Sequence, residues 1–135
     1  MDPDVIAVAI RSRTGASAEI VRRVLRGELQ IEASVLVVLE YEALAPRQKH
    51  LNAGGLTAAE ALLVIDALAA LSRPVEIHFR WRPQLRDADD EMVFEAAFNA
   101  EVRTIITFNR RDFAGAASRF DVGLATPAQF LESLK

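Results

Sequence analysis

Apolar and polar positions along the chain alternate between two periods. Val5-Ile6-Ala7-Val8-Ala9-Ile10 is a continuous apolar run that fits a buried strand or part of a buried helix equally well. Ile20, Val21, Val24 and Leu25 recur at helical spacing, with Gly27 placed to end that helix. Leu29 to Ala33 alternates weakly and predicts a short strand. Ser34 is a good N-cap for an apolar helix from Val35 to about Leu44, which Pro46 stops. Thr57-Ala58-Ala59-Glu60 forms a capping box opening a long Ala/Leu helix to about Ser72. Val75 to Phe79 predicts a strand, a helix follows Asp87, and Thr104 to Phe108 predicts a buried strand. Val122-Gly123-Leu124 is a brief last strand, and Thr126, Pro127 and Gln129 open a final helix. Helices alternating with short strands indicate an α/β domain with a mainly parallel sheet. Ligands of such sheets gather beyond the carboxyl ends of the strands.

Composition narrows the class. The 135 residues are 51% hydrophobic, enough for one domain with a real core, and no linker or repeat divides them. No apolar stretch approaches a membrane span, and the N-terminus has no signal-peptide pattern, so a cytoplasmic protein is expected. The absence of cysteine removes disulfides and thiolate metal sites, and His50 and His78 make no zinc spacing. The net charge of −3 argues against bulk polyanion binding. Local patches count for more, because nearly all the positive charge is arginine, which grips phosphate in a fork. Arg22-Arg23-Arg26 reads as solvated surface paired to acids. Arg80, Arg82 and Arg86 around Trp81, and Arg110-Arg111, flank the most acidic stretch and are candidates for phosphate contacts as much as for solvated surface.

That stretch is Asp87-Ala88-Asp89-Asp90-Glu91. One or two carboxylates at a helix start are explained by capping and by the helix dipole, with Asp89 or Asp90 as cap. Four crowd like charge into one turn, and the arrangement calls for a hard divalent cation with oxygen ligands. Glu40 follows Leu36 at i+4 and leans towards the apolar side of its helix, where a carboxylate needs a partner or a metal. Asp90, after a loop, and Asn109, just past a strand, can both reach the carboxyl edge of the sheet.

Asp2-x-Asp4-Val5-Ile6, Ser34 with Leu39-Glu40-Tyr41-Glu42, the Arg86–Glu91 knot and Thr107-Phe108-Asn109-Arg110-Arg111-Asp112-Phe113 together resemble a PIN-domain protein. The likeness is to the bacterial PIN-family toxins of toxin–antitoxin systems, the VapC-like group, and spans essentially the whole chain. It implies a three-layer α/β fold, with a short, mainly parallel central sheet flanked by helices, and a Mg²⁺- or Mn²⁺-dependent endoribonuclease. It places the catalytic and metal-binding acids at Asp2, Glu40 and Asp90, with Glu91 an adjacent contender to Asp90. The fourth position falls on Asn109, with Asp112 nearby. RNA, a cognate antitoxin and a homodimer are the partners implied. Two features depart from the pattern. Asp4 adds a carboxylate at the mouth of the site. Only Met1 precedes the first aspartate, so a first strand is expected to be missing. Val5–Ile10 would then begin a helix, and neighbouring strand edges would be left open. A weakened PIN domain acting as a binding or assembly module is the second reading. A haloacid-dehalogenase-type phosphatase, from Asp2-x-Asp4, is a third.

Overall fold

A computed structural model describes residues 1–44, 56–78, 84–100 and 103–135. The ambiguous first run is a helix, α1 (Pro3–Arg11). Asp2 caps it by accepting from the Asp4 N–H, and Pro3 takes the first helical position, where its missing N–H costs nothing. Gly15, at φ 97°, makes the turn into α2 (Ala16–Leu25). After Gly27, also in the left-handed region at φ 78°, the chain reaches strand β1 (Glu32–Ala33). Ser34 caps α3 (Val35–Glu42) through the Val37 N–H, as its sequence position predicts. The Thr57/Glu60 capping box opens α4 (Ala58–Leu71). Strand β2 is Arg73–Pro74, helix α5 is Ala88–Asn99 and strand β3 is Thr104–Ile106. Helix α6 (Arg110–Phe120), strand β4 (Gly123–Ala125) and helix α7 (Pro127–Ser133) complete the order.

Three expectations change. The cap of α5 is Asp87, accepting from the Asp89 N–H at 2.8 Å, and neither Asp89 nor Asp90 has that role. The strand expected at Val75–Phe79 begins earlier and is shorter. Its ladder is Arg73–Pro74, prolonged only by the Val75 N–H bond to the Ala33 carbonyl. Glu76 and His78 are exposed, so alternation here marks a peripheral extended segment rather than a paired one. Helix α6 was not legible as a helix, although Phe113, Ala116, Ala117 and Phe120 follow its inner face at i, i+3, i+4 and i+7. Five charged or glycine positions dilute that pattern.

The sheet is mainly parallel but divided. β1 pairs with β2 and β3 with β4, both parallel, as two separate two-stranded ladders. The larger core gathers Ile6, Ile10, Ile20, Val37, Tyr41 and Ile65 around α1–α4. The smaller gathers Phe94, Ile105, Phe113 and Val122 around β3, α6 and β4. Helix α5 belongs to both: Ala96 faces the first core, and Val93, Phe94 and Ala97 face the second. No helix among the described residues is long and apolar enough to cross a membrane. The first arginine cluster is paired surface, with Arg22 and Arg23 on Glu19 and Arg26 on Glu28.

Candidate metal centre

The site is built where the N-terminus meets the carboxyl end of β3. The Asp2 N–H bonds to the Ile106 carbonyl at 3.0 Å, which lays Met1–Asp2 against the end of that strand. Asp2 is only 4% exposed, and its two carboxylate oxygens are used differently. One accepts from the Asp4 N–H at 3.2 Å, and the other accepts from the Thr107 hydroxyl at 2.6 Å. Thr107 in turn accepts from the Asn109 N–H at 2.9 Å, and Asn109 Nδ2 donates to Asp4 at 2.8 Å. Asp2, Thr107, Asn109 and Asp4 thus form a closed hydrogen-bonded ring. It joins the start of α1 to the loop between β3 and α6. Burial is the main cause raising the Asp2 carboxyl above its ordinary pKa. The Asp4 charge adds to that, and the bonds from Thr107 and Asp4 oppose it.

Helix α5 brings Asp90 to the same place. Its carboxyl is pushed up to about 6, first by burial and then by the charges of Asp2, Asp87, Asp112 and Asp4. Acids of the N-terminus, α5 and α6 thus act on the charge of Asp90 from three segments of the chain. Asp90 and Asp112 also border a groove with Arg86, Arg111 and Arg119. Arg119 donates to Gln84 at 3.0 Å.

The remaining candidates fall less closely together. Glu91 is buried and turned to the backbone, where its Oε1 accepts from the Leu85 N–H at 2.7 Å and from the Gln84 N–H. Its Oε2 has no hydrogen-bond partner among the described residues. Glu40 is half-buried on α3, next to Tyr41, whose hydroxyl donates to the Met1 carbonyl. Arg110 is engaged with Gln129 at 2.7 Å, whereas Arg111 lines the acidic groove. Arg80 and Arg82 lie outside the described residues.

Thr107 and Tyr41 were not anticipated as site residues. Thr107 had a signal, being a hydroxyl at the end of an apolar strand, two positions before Asn109. Its role gives a direct expectation. Thr107→Val leaves a buried Asp2 oxygen without its donor, a loss of about 2 kcal/mol. Melting at pH 7.5 should fall by roughly 6 °C for a domain of this size. Near pH 4, where Asp2 can take up a proton instead, the deficit should shrink. An equal deficit at both pH values would place the cost in packing rather than in the hydrogen bond.

Whether the donors suit a metal can be judged from their chemistry. Asp2, Asp4, Asp90, Asn109 and Asp112 offer oxygen alone, the set that hard divalent cations take, and the raised Asp90 shows negative charge that a cation would relieve. Among the described residues, however, no three acidic or histidine side chains are drawn together closely enough to hold one ion. The donors fit in type, but not yet in spacing.

An α/β fold with acids from distant segments near one strand's carboxyl end is a candidate site for a hard cation. The comparison with protein families agrees: a PIN-domain profile matches residues 1–111, and the chain belongs to the PIN domain family. PIN domains are metal-dependent nucleases, and at that level membership supports nuclease activity and divalent-metal use. It also sets aside the phosphatase reading of Asp2 and Asp4. No curated protein and no solved structure matches the chain.

Proposed function

We propose that the chain is a Mg²⁺- or Mn²⁺-dependent endoribonuclease of the PIN type and the toxin of a toxin–antitoxin pair. The observation that carries the nuclease reading is the convergence of acidic charge on Asp90 beside an arginine-lined groove. Asp2, Glu40 and Asp90 would hold the ion, with Asn109 and Asp112 at its margin. When bound, such an ion supplies Lewis acidity, lowering the pKa of water and offsetting charge on the phosphate. The chain's own residues do the rest. Arg111 and Arg86 offer guanidinium forks to the RNA backbone. Thr107 and the Asp4 N–H fix the orientation of the Asp2 carboxylate. Asn109 carries no charge, so this side of the site attracts a second cation less strongly than a carboxylate would.

A protein partner is supported by apolar surface on two helices that pack together. Val35 is 75% and Leu63 70% exposed, with Leu39 and Leu62 about half exposed. An antitoxin or a second copy would cover such side chains.

The test is cleavage of single-stranded RNA with Mn²⁺, with EDTA, and with an Asp2→Asn chain. The expected result is cleavage with Mn²⁺ alone, lost on chelation and in the variant. Cleavage that survives both points to a contaminating nuclease and overturns the assignment. That no tight three-acid group stands among the described residues favours one second reading, a weakened PIN domain serving as a binding module. A chain showing no calorimetric Mn²⁺ binding would establish it.

A further inference from the structure

Helix α6 starts at the hydrogen-bonded ring, since its N-cap, Asn109, donates to Asp4. From there it runs along the groove that Asp90 and Arg86 border. Arg111, Gly115 and Arg119 line this groove four residues apart, so they form one stripe on the helix. At ~1.5 Å of rise per residue, the two arginines stand about 12 Å apart along the axis. The acids of the groove belong to the helix starts: Asp87 caps α5, and Asp90 and Asp112 lie in the first turns of α5 and α6. Arg119 is in the last turn of α6, bonded to the Gln84 side chain at 3.0 Å.

Gly115 has no local reason to be glycine. In a helix interior glycine is less stable than alanine, because it fixes a more flexible backbone. The other glycines among the described residues have a reason. Gly15 and Gly27 stand at positive φ, and a Cβ on Gly123 would come within 3.2 Å of the Thr104 hydroxyl. Gly115 is not at positive φ, and no atom of the described residues comes within 4 Å of where its Cβ would be. Alanine would therefore fit there and would strengthen α6. Glycine leaves instead an exposed gap in the stripe, between two long arginine side chains.

We propose that Gly115 is the point at which a single-stranded RNA substrate lies directly on α6, its sugar–phosphate backbone passing between Arg111 and Arg119 and away from the acidic ring. This rests on the nuclease reading and adds to it the path by which the strand leaves the site. Each guanidinium can grip a phosphate in a fork, which offsets the repulsion from the aspartates of the groove. The missing Cβ lets the backbone of the strand come close to the helix between those two grips, a recurrent use of glycine beside a ligand.

The test measures binding of a short fluorescent single-stranded RNA in EDTA, where no metal-dependent cleavage intrudes, and a thermal melt of each chain. The chains are the native one, Gly115→Ala, Gly115→Leu and Ala114→Leu. Ala114 is exposed on α6 but does not line the groove. Gly115→Ala should melt higher than the native chain and yet bind RNA more weakly. Gly115→Leu should bind at least about ten-fold more weakly, the loss of roughly one charged hydrogen bond, while Ala114→Leu binds as the native chain does. The proposal is overturned if both Gly115 variants bind like the native chain, or if Ala114→Leu loses as much as Gly115→Leu. It is equally overturned if the native chain binds no RNA. If RNA binding depends on Gly115 in this way but Mn²⁺ brings no cleavage, the proposal stands and the nuclease reading falls.

Discussion

Asp90→Asn should make the metal-free protein more stable and the metal-treated protein less so. The Asp90 carboxyl is raised from 3.8 to about 6, so the folded chain binds its proton more tightly than the unfolded chain does. For a carboxyl shifted in this direction, ionisation is a cost to the fold. The cost is absent below about pH 3.8, grows through the window up to about 6, and is complete above it. Asp90 is partly exposed, and solvent screening reduces the penalty to about 1 kcal/mol. At pH 7.5 the variant should melt about 4 °C higher without metal, and at pH 3.5 the two should coincide. Asp87 is the helix cap, so the substitution leaves capping intact. With Mn²⁺ at 100 times its dissociation constant, the native chain should gain about 2.7 kcal/mol and the variant little. RNA cleavage should fall by about a hundred-fold or more, since even the outer partners of metal ligands cost 10–100-fold. Thermal melts across pH, with and without Mn²⁺, read all of this at once. A variant destabilised in every condition would instead mean that Asp90 supports the first turn of α5.

Its neighbour should behave in the opposite way. Glu91→Ala removes one buried acceptor from two backbone N–H groups, at Gln84 and Leu85, and leaves both without that partner. Bonds to a charged acceptor are worth about 1.5–3 kcal/mol each, and the expected loss is about 3 kcal/mol, or roughly 10 °C in melting temperature. Glu91→Gln keeps an acceptor oxygen and should recover most of it. Mn²⁺ binding by Glu91→Gln should stay within about three-fold of native, as expected of a residue that ties down the segment before α5. If Glu91→Gln melts normally without metal but no longer responds to Mn²⁺, then Glu91 is a ligand and its backbone bonds are a resting arrangement. The pair of variants thus separates two adjacent carboxylates that composition alone cannot tell apart.

What could be read in advance divides along physical lines. Ser34, Thr57 and Thr126 named their helix starts correctly because capping is local, a side chain meeting an N–H two or three residues on. The knot at Asp87–Glu91 marked the acidic region because four like charges in one turn demand an explanation. Its internal assignments were not legible. Asp87, Asp89 and Asp90 offer the same local capping signal, while Glu91 is set apart by the loop N–H groups of Gln84 and Leu85 and Asp90 by acids of other segments, which no local rule encodes. The Asp2–Thr107 bond, between residues 105 positions apart, was out of reach for the same reason. Helix α6 was missed on different grounds, its four inner residues being outweighed by arginines, an aspartate and Gly115. The division of the sheet was foreseen only through the resemblance, and pattern alone read Val5–Ile10 as strand or helix indifferently.

The ring of hydrogen bonds has a consequence for the order in which this protein comes into being. Asp2 and Asp4 are made well before their partners Ile106, Thr107 and Asn109, which come about 105 residues later. At ~5–20 residues per second, that interval is about 5–20 s. Throughout it the N-terminal acids are two carboxylates on a nascent helix with no strand end to meet. The larger core around α1–α4 can begin to form in that time, since most of its residues are already made. The acidic site cannot. It closes only once β3 and the loop to α6 have been added, so the ring reports that the second half of the domain has joined the first.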